Sequence, residues 1–301
     1  MRSQSEWADQ QSTQSAPSVQ TNADFSSFDA STLVPADSHL TVQHNNVPSF
    51  LNFSAFSTTA ISPVDHGDFN MSVVTARGHG LDEQRVRENL HVLRLLCGRP
   101  LARLKQVHSR RVIDLDSYDM SDDGLAPLAS VEADAMVTTK RDVALAILTG
   151  DCTPILFVDG VHHVFGAAHS GRLGTQRTIA AAVIEKMVAK GADASQIRVW
   201  IGPHICGNCY ETGNDIASAF EKQFPGCSTH TRFGGAGVSL GRAITCELVD
   251  SGVISSHIYG FSEVDNSTLC TLENPRFYSY RGYTLTKDPM RDGRFYTVLC
   301  V

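Results

Sequence analysis

The chain has 301 residues, close to the largest size that a single hydrophobic core supports, and its 42% hydrophobic and 19% charged content is typical of globular proteins. A net charge of −7 without any basic stripe argues against nucleic acid as a partner. No apolar run reaches the roughly 18 residues of a membrane span, and residues 1–20 lack the apolar core of a secretory signal. We therefore expect a cytoplasmic protein without membrane contact, in which the eight cysteines are free thiols.

The amino-terminal segment differs in composition from the rest. Residues 1–45 are rich in Ser, Gln, Thr, Asp and Ala, contain few large apolar residues and no lysine, and so cannot bury enough apolar area to offset their ordering entropy. The composition predicts a disordered tail over 1–45 and a single domain over 46–301. The alternative is an additional strand near Leu33-Val34.

The first elements of the domain follow from periodicity. Residues 50–56 alternate apolar and polar side chains, which predicts a strand. Residues 82–96 place apolar side chains on one face of a helix, with acidic residues in its first turn. A strand-like segment over 103–115 carries His108, and the apolar run over 143–148 predicts a buried strand.

A hairpin is predicted in the middle of the chain. Apolar runs over 154–158 and 161–168 flank Asp159-Gly160, a two-residue turn signal. Cys152 precedes the first strand and His169 follows the second. Antiparallel pairing brings those two ends together, so Cys152 and His169 should be neighbours.

The remaining elements indicate the fold class. Residues 175–190 show a helical apolar stripe, and residues 198–201 and 294–301 are strand-like. Strands and helices alternate without regular βαβ spacing or an internal repeat. We therefore predict an α+β fold, a single mixed-sheet, α/β-layered domain.

Three side chains form a candidate metal site. His108, Cys152 and His169 each lie at the end or start of an apolar run. A lone histidine is more often a hydrogen-bonded structural residue, and a lone cysteine more often an inert buried thiol. Together, two imidazoles and a thiolate are a three-ligand zinc set, which leaves a coordination position open as in catalytic sites. Asp151 either accepts a hydrogen bond from a ligand imidazole or is a turn residue.

The phrases around these residues resemble the multicopper polyphenol oxidoreductase, or laccase-domain, family over roughly residues 50–301. The phrases that carry the resemblance are Gln106-Val107-His108, Ala133-Asp134-Ala135, Thr149-Gly150-Asp151-Cys152-Thr153-Pro154, Ala167-Ala168-His169-Ser170-Gly171, Ile201-Gly202-Pro203, Cys209-Tyr210-Glu211, Cys270-Thr271, Tyr278-Ser279-Tyr280-Arg281 and Gly293-Arg294. The resemblance implies a single mixed α/β domain with His108, Cys152 and His169 as zinc ligands. It also implies a zinc-dependent purine nucleoside phosphorylase with adenosine deaminase activity, acting on a purine nucleoside and phosphate.

Further site residues are expected under that resemblance. Phosphate is best held by the planar fork of arginine, and the candidates are Arg77, Arg172 and Arg281. Asp134 and Glu211 are candidate proton carriers.

The sequence departs from the usual family pattern at two places. The common His-Ala-Gly-Trp-Arg-Gly is here His169-Ser-Gly-Arg-Leu-Gly, and the early Thr-Arg is Thr58-Thr59. Two expected arginines are thus missing, and Arg172 is placed to compensate for one of them.

Several alternatives remain open at this stage. A peptidoglycan-precursor editing hydrolase would use the same zinc site, and a non-catalytic zinc-stabilised interaction protein is compatible with the missing arginines. Copper could replace zinc in a mixed Cys/His site, as a polyphenol oxidase requires, but the chain contains no His-x-His pair. Cys206 and Cys209 form a Cys-x-x-Cys motif for which we find no second pair, so we expect a structural role.

Overall fold

The computed structural model describes residues 28–36, 55–76, 80, 83–121, 125–260 and 269–301. The strands in these ranges are β1 (Val34–Pro35), β2 (Ala55–Ser57), β3 (Leu101–Ala102), β4 (Val112–Asp114), β5 (Ala135–Thr138), β6 (Ala144–Thr149), β7 (Thr153–Asp159), β8 (Val164–Ser170), β9 (Arg198–Ile201), β10 (Ser228–His230), β11 (Ala236–Val238), β12 (Ile258–Tyr259) and β13 (Phe295–Cys300). The α-helices are α1 (Val73–Ala76), α2 (Glu83–Cys97), α3 (Arg172–Gln176), α4 (Ile179–Ala189), α5 (Asn214–Gln223), α6 (Leu240–Asp250) and α7 (Tyr280–Thr286). Short 3-10 helices cover Ala30–Thr32, Leu115–Ser117, Ala126–Ser130, Ala194–Gln196, Ser255–His257 and Pro289–Arg291.

In the described part of the chain, these strands form two larger sheets and one hairpin. One sheet has the order β1-β2-β13-β6-β3, the other β12-β9-β7-β8-β5-β4, and β10 pairs with β11. Each larger sheet contains both parallel and antiparallel pairs. The predicted α+β class with mixed sheets and layered helices is therefore confirmed.

The two sheets pack face to face, with helices on their outer faces. Buried side chains from both sheets fill the space between them, including Met136, Leu145, Leu156, Phe165 and Leu299. Strands β7 and β8 are buried at every position because α4, α5 and α6 cover their other face. This double burial explains why the sequence of both strands is a continuous apolar run.

The outer face of the five-stranded sheet is covered by α2. Leu93 and Leu96 on this helix pack against Tyr296 and Val298 of β13. No helix in the described ranges is long and apolar enough to cross a membrane.

Most predicted elements coincide with observed ones. The helix predicted over 82–96 is α2, and the strands predicted over 143–148, 198–201 and 294–301 are β6, β9 and β13. The strand predicted over 50–56 is described only from residue 55, where β2 begins.

The predicted hairpin is present with a longer connection. Strands β7 and β8 pair from Asp159–Val164 to Thr153–Ser170, so four residues connect them instead of two. The Asp159 carboxylate accepts hydrogen bonds from the backbone N–H groups of Val161 and His162, which stabilises this wider turn.

Two predicted elements were wrong in extent. The strand predicted over 103–115 is β4 at one end and mainly loop, because three of its backbone N–H groups donate to the Asp134 side chain instead of a neighbouring strand. The helix predicted over 175–190 is divided between α3 and α4 by Thr178, whose φ of 55° cannot continue a helix.

Part of the predicted tail packs on the domain. Val34 and Pro35 of β1 pair with β2, and Leu33 is buried beside Phe56 and Phe69. The structure therefore contains the additional strand near Leu33-Val34 that was the alternative to a disordered tail. The rest of the tail prediction for 1–45 lies outside the described residues.

A buried carboxyl group lies where α6 packs on α4. Glu247 is only 3% exposed, and its Oε1 accepts a hydrogen bond of 2.7 Å from the N–H of Ala181. Burial raises the pKa of Glu247 from 4.5 to about 7. The folded chain therefore favours the protonated form of this side chain.

This raised pKa predicts a pH-dependent loss of stability. Below pH 4.5 the group is protonated in both states; as pH rises towards 7 only the unfolded chain ionises, so stability falls and the loss is complete above pH 7. Glu247→Gln has no carboxyl group at this position and should not show this loss. From pH 5 to pH 8, the free energy of unfolding of the wild type should fall by about 2 kcal/mol more than that of the variant. Denaturant unfolding at both pH values measures this, with the exposed Glu185→Gln on α4 as the control that follows the wild type. Equal pH dependence in Glu247→Gln would contradict the prediction.

Candidate metal centre

The His108, Cys152 and His169 side chains meet at one point. One ligand atom from each lies within 4.8 Å of the others. Cys152 Sγ is 3.6 Å from His108 Nε2, and sulfur and nitrogen ligands of a tetrahedral zinc ion are also about 3.6 Å apart, given bonds of about 2.3 and 2.0 Å. The two imidazole rings meet edge to face with centroids 4.7 Å apart. The three donors therefore fit a zinc ion with a coordination position left for a further ligand.

The β7–β8 hairpin brings two of these donors together. Cys152 directly precedes β7, and His169 on β8 pairs with Pro154. The predicted proximity of Cys152 and His169 is thus present in the fold.

His108 comes from the loop between β3 and β4. Gln106 anchors this loop, since its side-chain amide donates to the carbonyl of Leu148 and accepts from the N–H of the same residue on β6. Arg177 donates a hydrogen bond to the carbonyl of His108. His108 has a φ of 59°, a left-handed backbone conformation that is uncommon for residues other than glycine.

One carboxylate holds both histidines. Asp134, fully buried just before β5, accepts a hydrogen bond of 2.8 Å from Nδ1 of His169. It also accepts from the backbone N–H groups of Val107, His108 and Ser109 at 2.7–3.1 Å and from the Ser109 hydroxyl. The carboxylate thus orients the His169 ring with Nε2 towards the cluster and stabilises the unusual backbone of His108.

Asp134 therefore fits a different role from that of a proton carrier. Although burial opposes ionisation, hydrogen bonds from His169 and Ser109 hold the pKa of Asp134 well below its usual value. A carboxylate with all these donors is a positioning group for the two histidines.

The side chains of this centre carry opposite charges. Burial raises the pKa of the Cys152 thiol. The charge on His169 and hydrogen bonds from both histidines outweigh burial and lower this pKa to about 6. Burial likewise opposes the charge on His169, but the Cys152 thiolate and Asp134 raise the pKa of this imidazole to about 9. At neutral pH a thiolate faces an imidazolium, so metal binding would release a proton from His169.

Gly171 allows this close approach. A Cβ atom at this position would lie 2.7 Å from His108 Cδ2 and 2.8 Å from Cys152 Sγ, inside van der Waals contact. Its φ of −79° and ψ of −179° suit any residue, so an alanine here is excluded by space rather than by backbone conformation.

Gly171→Ala should therefore displace the ligands without unfolding the chain. We expect zinc affinity to fall at least about tenfold, as for other disturbances of a ligand's surroundings. Gly174→Ala is the matched control, because its nearest neighbour would be the His169 carbonyl oxygen at 3.4 Å, an ordinary contact. Competition with a chromophoric chelator measures both affinities, and an unchanged value for Gly171→Ala would contradict the crowding argument.

Asp151 supports the turn that carries Cys152. Its φ of 97° is strained for a residue with a side chain. Its Oδ1 accepts from the hydroxyls of Thr271 and Ser279 at 2.6 and 2.7 Å, and its Oδ2 accepts from the N–H of Arg281 at 2.6 Å. Of the two predicted roles, these contacts fit the turn residue and not the imidazole partner, because the Asp151 carboxylate ties the turn that carries Cys152 to the start of α7.

Comparison with known proteins identifies the family. A family model described as multi-copper polyphenol oxidoreductase laccase matches residues 54–301. The chain belongs to this family. A purine nucleoside phosphorylase of Streptomyces griseus is 38% identical over 178 residues, which cover 59% of this chain and 67% of the relative. An adenosine deaminase from an unknown prokaryotic organism is 31% identical over 235 residues, which cover 75% of this chain and 87% of the relative.

Solved structures of other proteins have the same fold. YlmD from Geobacillus stearothermophilus superposes with a TM-score of 0.66 at 26% identity, covering 81% of this chain and 90% of that one. A Neisseria meningitidis protein has the same fold, with a TM-score of 0.65 at 24% identity over 89% of this chain and 99% of that one.

Two of the three candidate phosphate ligands of this laccase-domain chain lie near the metal centre. Arg281 on α7 lies over the ring of Tyr210, 5.4 Å from its centroid, and donates to the carbonyl of Glu211 at 2.9 Å. Burial raises the pKa of Tyr210, the Cys152 charge raises it further, and the charges of Arg172 and Arg281 oppose this rise. Tyr210 is therefore close enough to Cys152, Arg172 and Arg281 for the charges of all three to act on its hydroxyl.

Three further positions bear on the expected phosphate site: Arg77 and the two places where this chain lacks the usual family arginine. Arg77 lies outside the described residues. Thr59, at the place of the usual family arginine, is buried and donates to the carbonyl of Thr32, so it is directed into the fold. Leu173 replaces the second usual arginine and is 36% exposed, next to Arg172.

Glu211 contacts the site through its backbone. Its carboxylate accepts from the Thr231 hydroxyl at 3.0 Å and lies against Gly235, whereas its carbonyl holds Arg281. The residues that the sequence did not indicate are Ser109, Arg177 and Tyr210, which act on the ligands or arginines by contacts between distant segments. Only Tyr210 had a local signal, since it stands in the Cys-Tyr-Glu phrase.

Proposed function

We propose that this chain is a zinc-dependent purine nucleoside phosphorylase for the adenosine, inosine and methylthioadenosine class. The observation that carries the proposal is the His108–Cys152–His169 cluster, which is within zinc-ligand distance and beside two arginines. Relatives named purine nucleoside phosphorylase at 32–38% identity supply the reaction class.

The protein's own residues would prepare the metal centre. Asp134 accepts a hydrogen bond from Nδ1 of His169 and so directs Nε2 at the metal position, while the low pKa of Cys152 supplies a thiolate. When bound, zinc would supply a Lewis acid that polarises the reacting group. Copper is an alternative occupant of two imidazoles and a thiolate, so metal identity belongs to the proposal.

Arg172 and Arg281 would bind phosphate in this scheme. A phosphate oxygen forms a bond to ribose C1′ while the C1′–N bond to the purine breaks, and the departing purine takes up a proton. The two guanidinium groups would orient the phosphate and offset its charge. Glu211 would contribute by holding Arg281 in place through its carbonyl.

A second activity, deamination of adenosine, is favoured by the relative named adenosine deaminase, with which three quarters of this chain align. In this reaction water adds at purine C6 and the amino group leaves as ammonia, so the reaction would use a metal centre with an open position and needs no phosphate.

One assay separates the candidate functions. Purified zinc-loaded chain is incubated with adenosine, inosine or methylthioadenosine, with and without phosphate, and the free base and inosine are quantified by chromatography. We expect base release that requires phosphate, together with phosphate-independent conversion of adenosine to inosine. Base release without phosphate would overturn phosphorolysis in favour of hydrolysis, and no turnover of any nucleoside would overturn the proposal.

Arg281→Lys tests the phosphate site. Lysine keeps the positive charge but lacks the planar fork, so we expect the apparent KM for phosphate to rise roughly tenfold while zinc content is unchanged. Arg198→Lys on the exposed end of β9 is the control and should behave as the wild type. Loss of thermal stability without a change in phosphate KM would instead assign Arg281 a structural role.

A further inference from the structure

A second group of metal-binding side chains lies outside the centre described above. Cys206, Cys209, Cys270 and Glu273, here called the cysteine cluster, each place one ligand atom within 4.8 Å of the others. The sequence contains no second Cys-x-x-Cys motif to accompany Cys206 and Cys209. The fold places Cys270 and Glu273 beside them, and these two residues act as the second pair.

The distances in the cysteine cluster fit tetrahedral zinc. Cys206 Sγ is 3.8 Å from Glu273 Oε2. Bonds of about 2.3 Å to sulfur and 2.1 Å to oxygen separate the ligands of a tetrahedral zinc ion by about 3.6–3.8 Å. All three cysteines are free and buried, whereas Glu273 reaches the surface, so an ion can enter from that side.

The surrounding hydrogen bonds preorganise these donors. The N–H of Cys209 donates to the carbonyl of Cys206 at 3.0 Å, which closes the turn between the two thiols. The N–H of Cys206 donates to Cys270 Sγ at 3.4 Å, a contact that favours a thiolate. Arg232 donates to Oε1 of Glu273 at 3.0 Å and so leaves Oε2 directed at the cluster.

We propose that Cys206, Cys209, Cys270 and Glu273 form a second zinc site, with a structural role. Four protein ligands complete a tetrahedral zinc shell and leave no position for substrate, which is the pattern of structural sites. The inference depends on these four residues and not on the proposed phosphorylase activity.

The position of this site explains what it stabilises. The N–H of Ile205 donates to the carbonyl of Asp151, and the hydroxyl of Thr271 donates to its carboxylate. Each contact comes from a residue next to one of the cluster cysteines. A zinc ion here would hold together the two segments that support the turn carrying Cys152.

Metal counting on the full chain tests the proposal. The chain is purified with a reductant, loaded with excess zinc, desalted and analysed by mass spectrometry for metal. We expect two zinc ions per chain in the wild type and one in Cys270→Ser, with a lower melting temperature in the variant. Cys227→Ser, a buried cysteine outside the cluster, should keep two ions. Cys152→Ser should also bind one ion, namely that of the cysteine cluster, so the two sites are counted separately.

A milder variant covers the case in which Cys270→Ser does not fold. Glu273→Gln keeps the size of the side chain and its surface position, and we expect a chelator to remove one of its two zinc ions at least about tenfold faster than from the wild type. One zinc ion per wild-type chain, or two ions that persist in Cys270→Ser, would overturn the proposal. An intact mass that shows a Cys206–Cys209 disulfide in the reductant-purified, zinc-loaded chain would overturn it as well.

Discussion

Cys152→Ser is expected to remove the zinc ion of the His108–Cys152–His169 centre and to reduce nucleoside turnover by more than about 100-fold. Changes to groups that merely orient a ligand already cost about 10–100-fold, and this substitution removes a ligand itself. A serine hydroxyl keeps its proton at neutral pH, whereas the pKa of Cys152 is lowered to about 6 and provides a thiolate. Metal analysis and steady-state kinetics on the same preparation measure both effects.

The matched control for this substitution is Cys246→Ser. Cys246 is half-buried like Cys152 and lies on α6 in the helical layer. We expect this variant to keep its zinc content and turnover. If Cys152→Ser retained full zinc occupancy and activity, the three-ligand centre would not be the site of the reaction.

The proximity of Cys152 and His169 could be predicted because it depends on local pairing. Apolar runs around Asp159-Gly160 indicate a hairpin, and an antiparallel hairpin joins its outer ends whatever its exact loop length. The prediction therefore tolerated the error of two residues in the connection.

The position of His108 could not be derived in the same way. His108 lies in a loop whose left-handed backbone is stabilised by a carboxylate from a distant segment, Asp134. Sequence periodicity indicated a strand there, because periodicity does not register a buried carboxylate that replaces strand hydrogen bonds. Only the resemblance to the family linked His108 to the other two ligands.

The cysteine cluster has a weak signal in the sequence. Cys206 and Cys209 are separated by two residues, and so are Cys270 and Glu273, so the second pair is a Cys-x-x-Glu instead of a Cys-x-x-Cys. The long intervening segment gave no reason to combine the two pairs. The parallel bridge between His204 and Cys270 brings them together.

Asp134→Asn is expected to weaken zinc binding by about 10–100-fold and to lower the free energy of unfolding by roughly 2–4 kcal/mol. The asparagine amide has the shape of the carboxylate, but its nitrogen is a hydrogen-bond donor. If the nitrogen replaces Oδ2 it faces the N–H and hydroxyl of Ser109, and if it replaces Oδ1 it faces Nδ1 of His169. A buried donor would then face another donor, the loop that carries His108 would lose its anchor, and the tautomer of His169 would no longer be fixed.

Asp159→Asn separates the two consequences of that change. Asp159 is as deeply buried as Asp134, and its carboxylate accepts hydrogen bonds from the ring of His162 at 2.8 Å and from backbone N–H groups. Asp159 is the last residue of β7, whereas Cys152 lies just before the first residue of this strand. Seven residues of strand place the two ends about 20 Å apart. We expect Asp159→Asn to lose a similar amount of stability in denaturant unfolding and to keep wild-type zinc affinity, whereas Asp134→Asn loses both. Equal zinc affinities in the two variants would mean that Asp134 supports the fold alone and does not position the metal ligands.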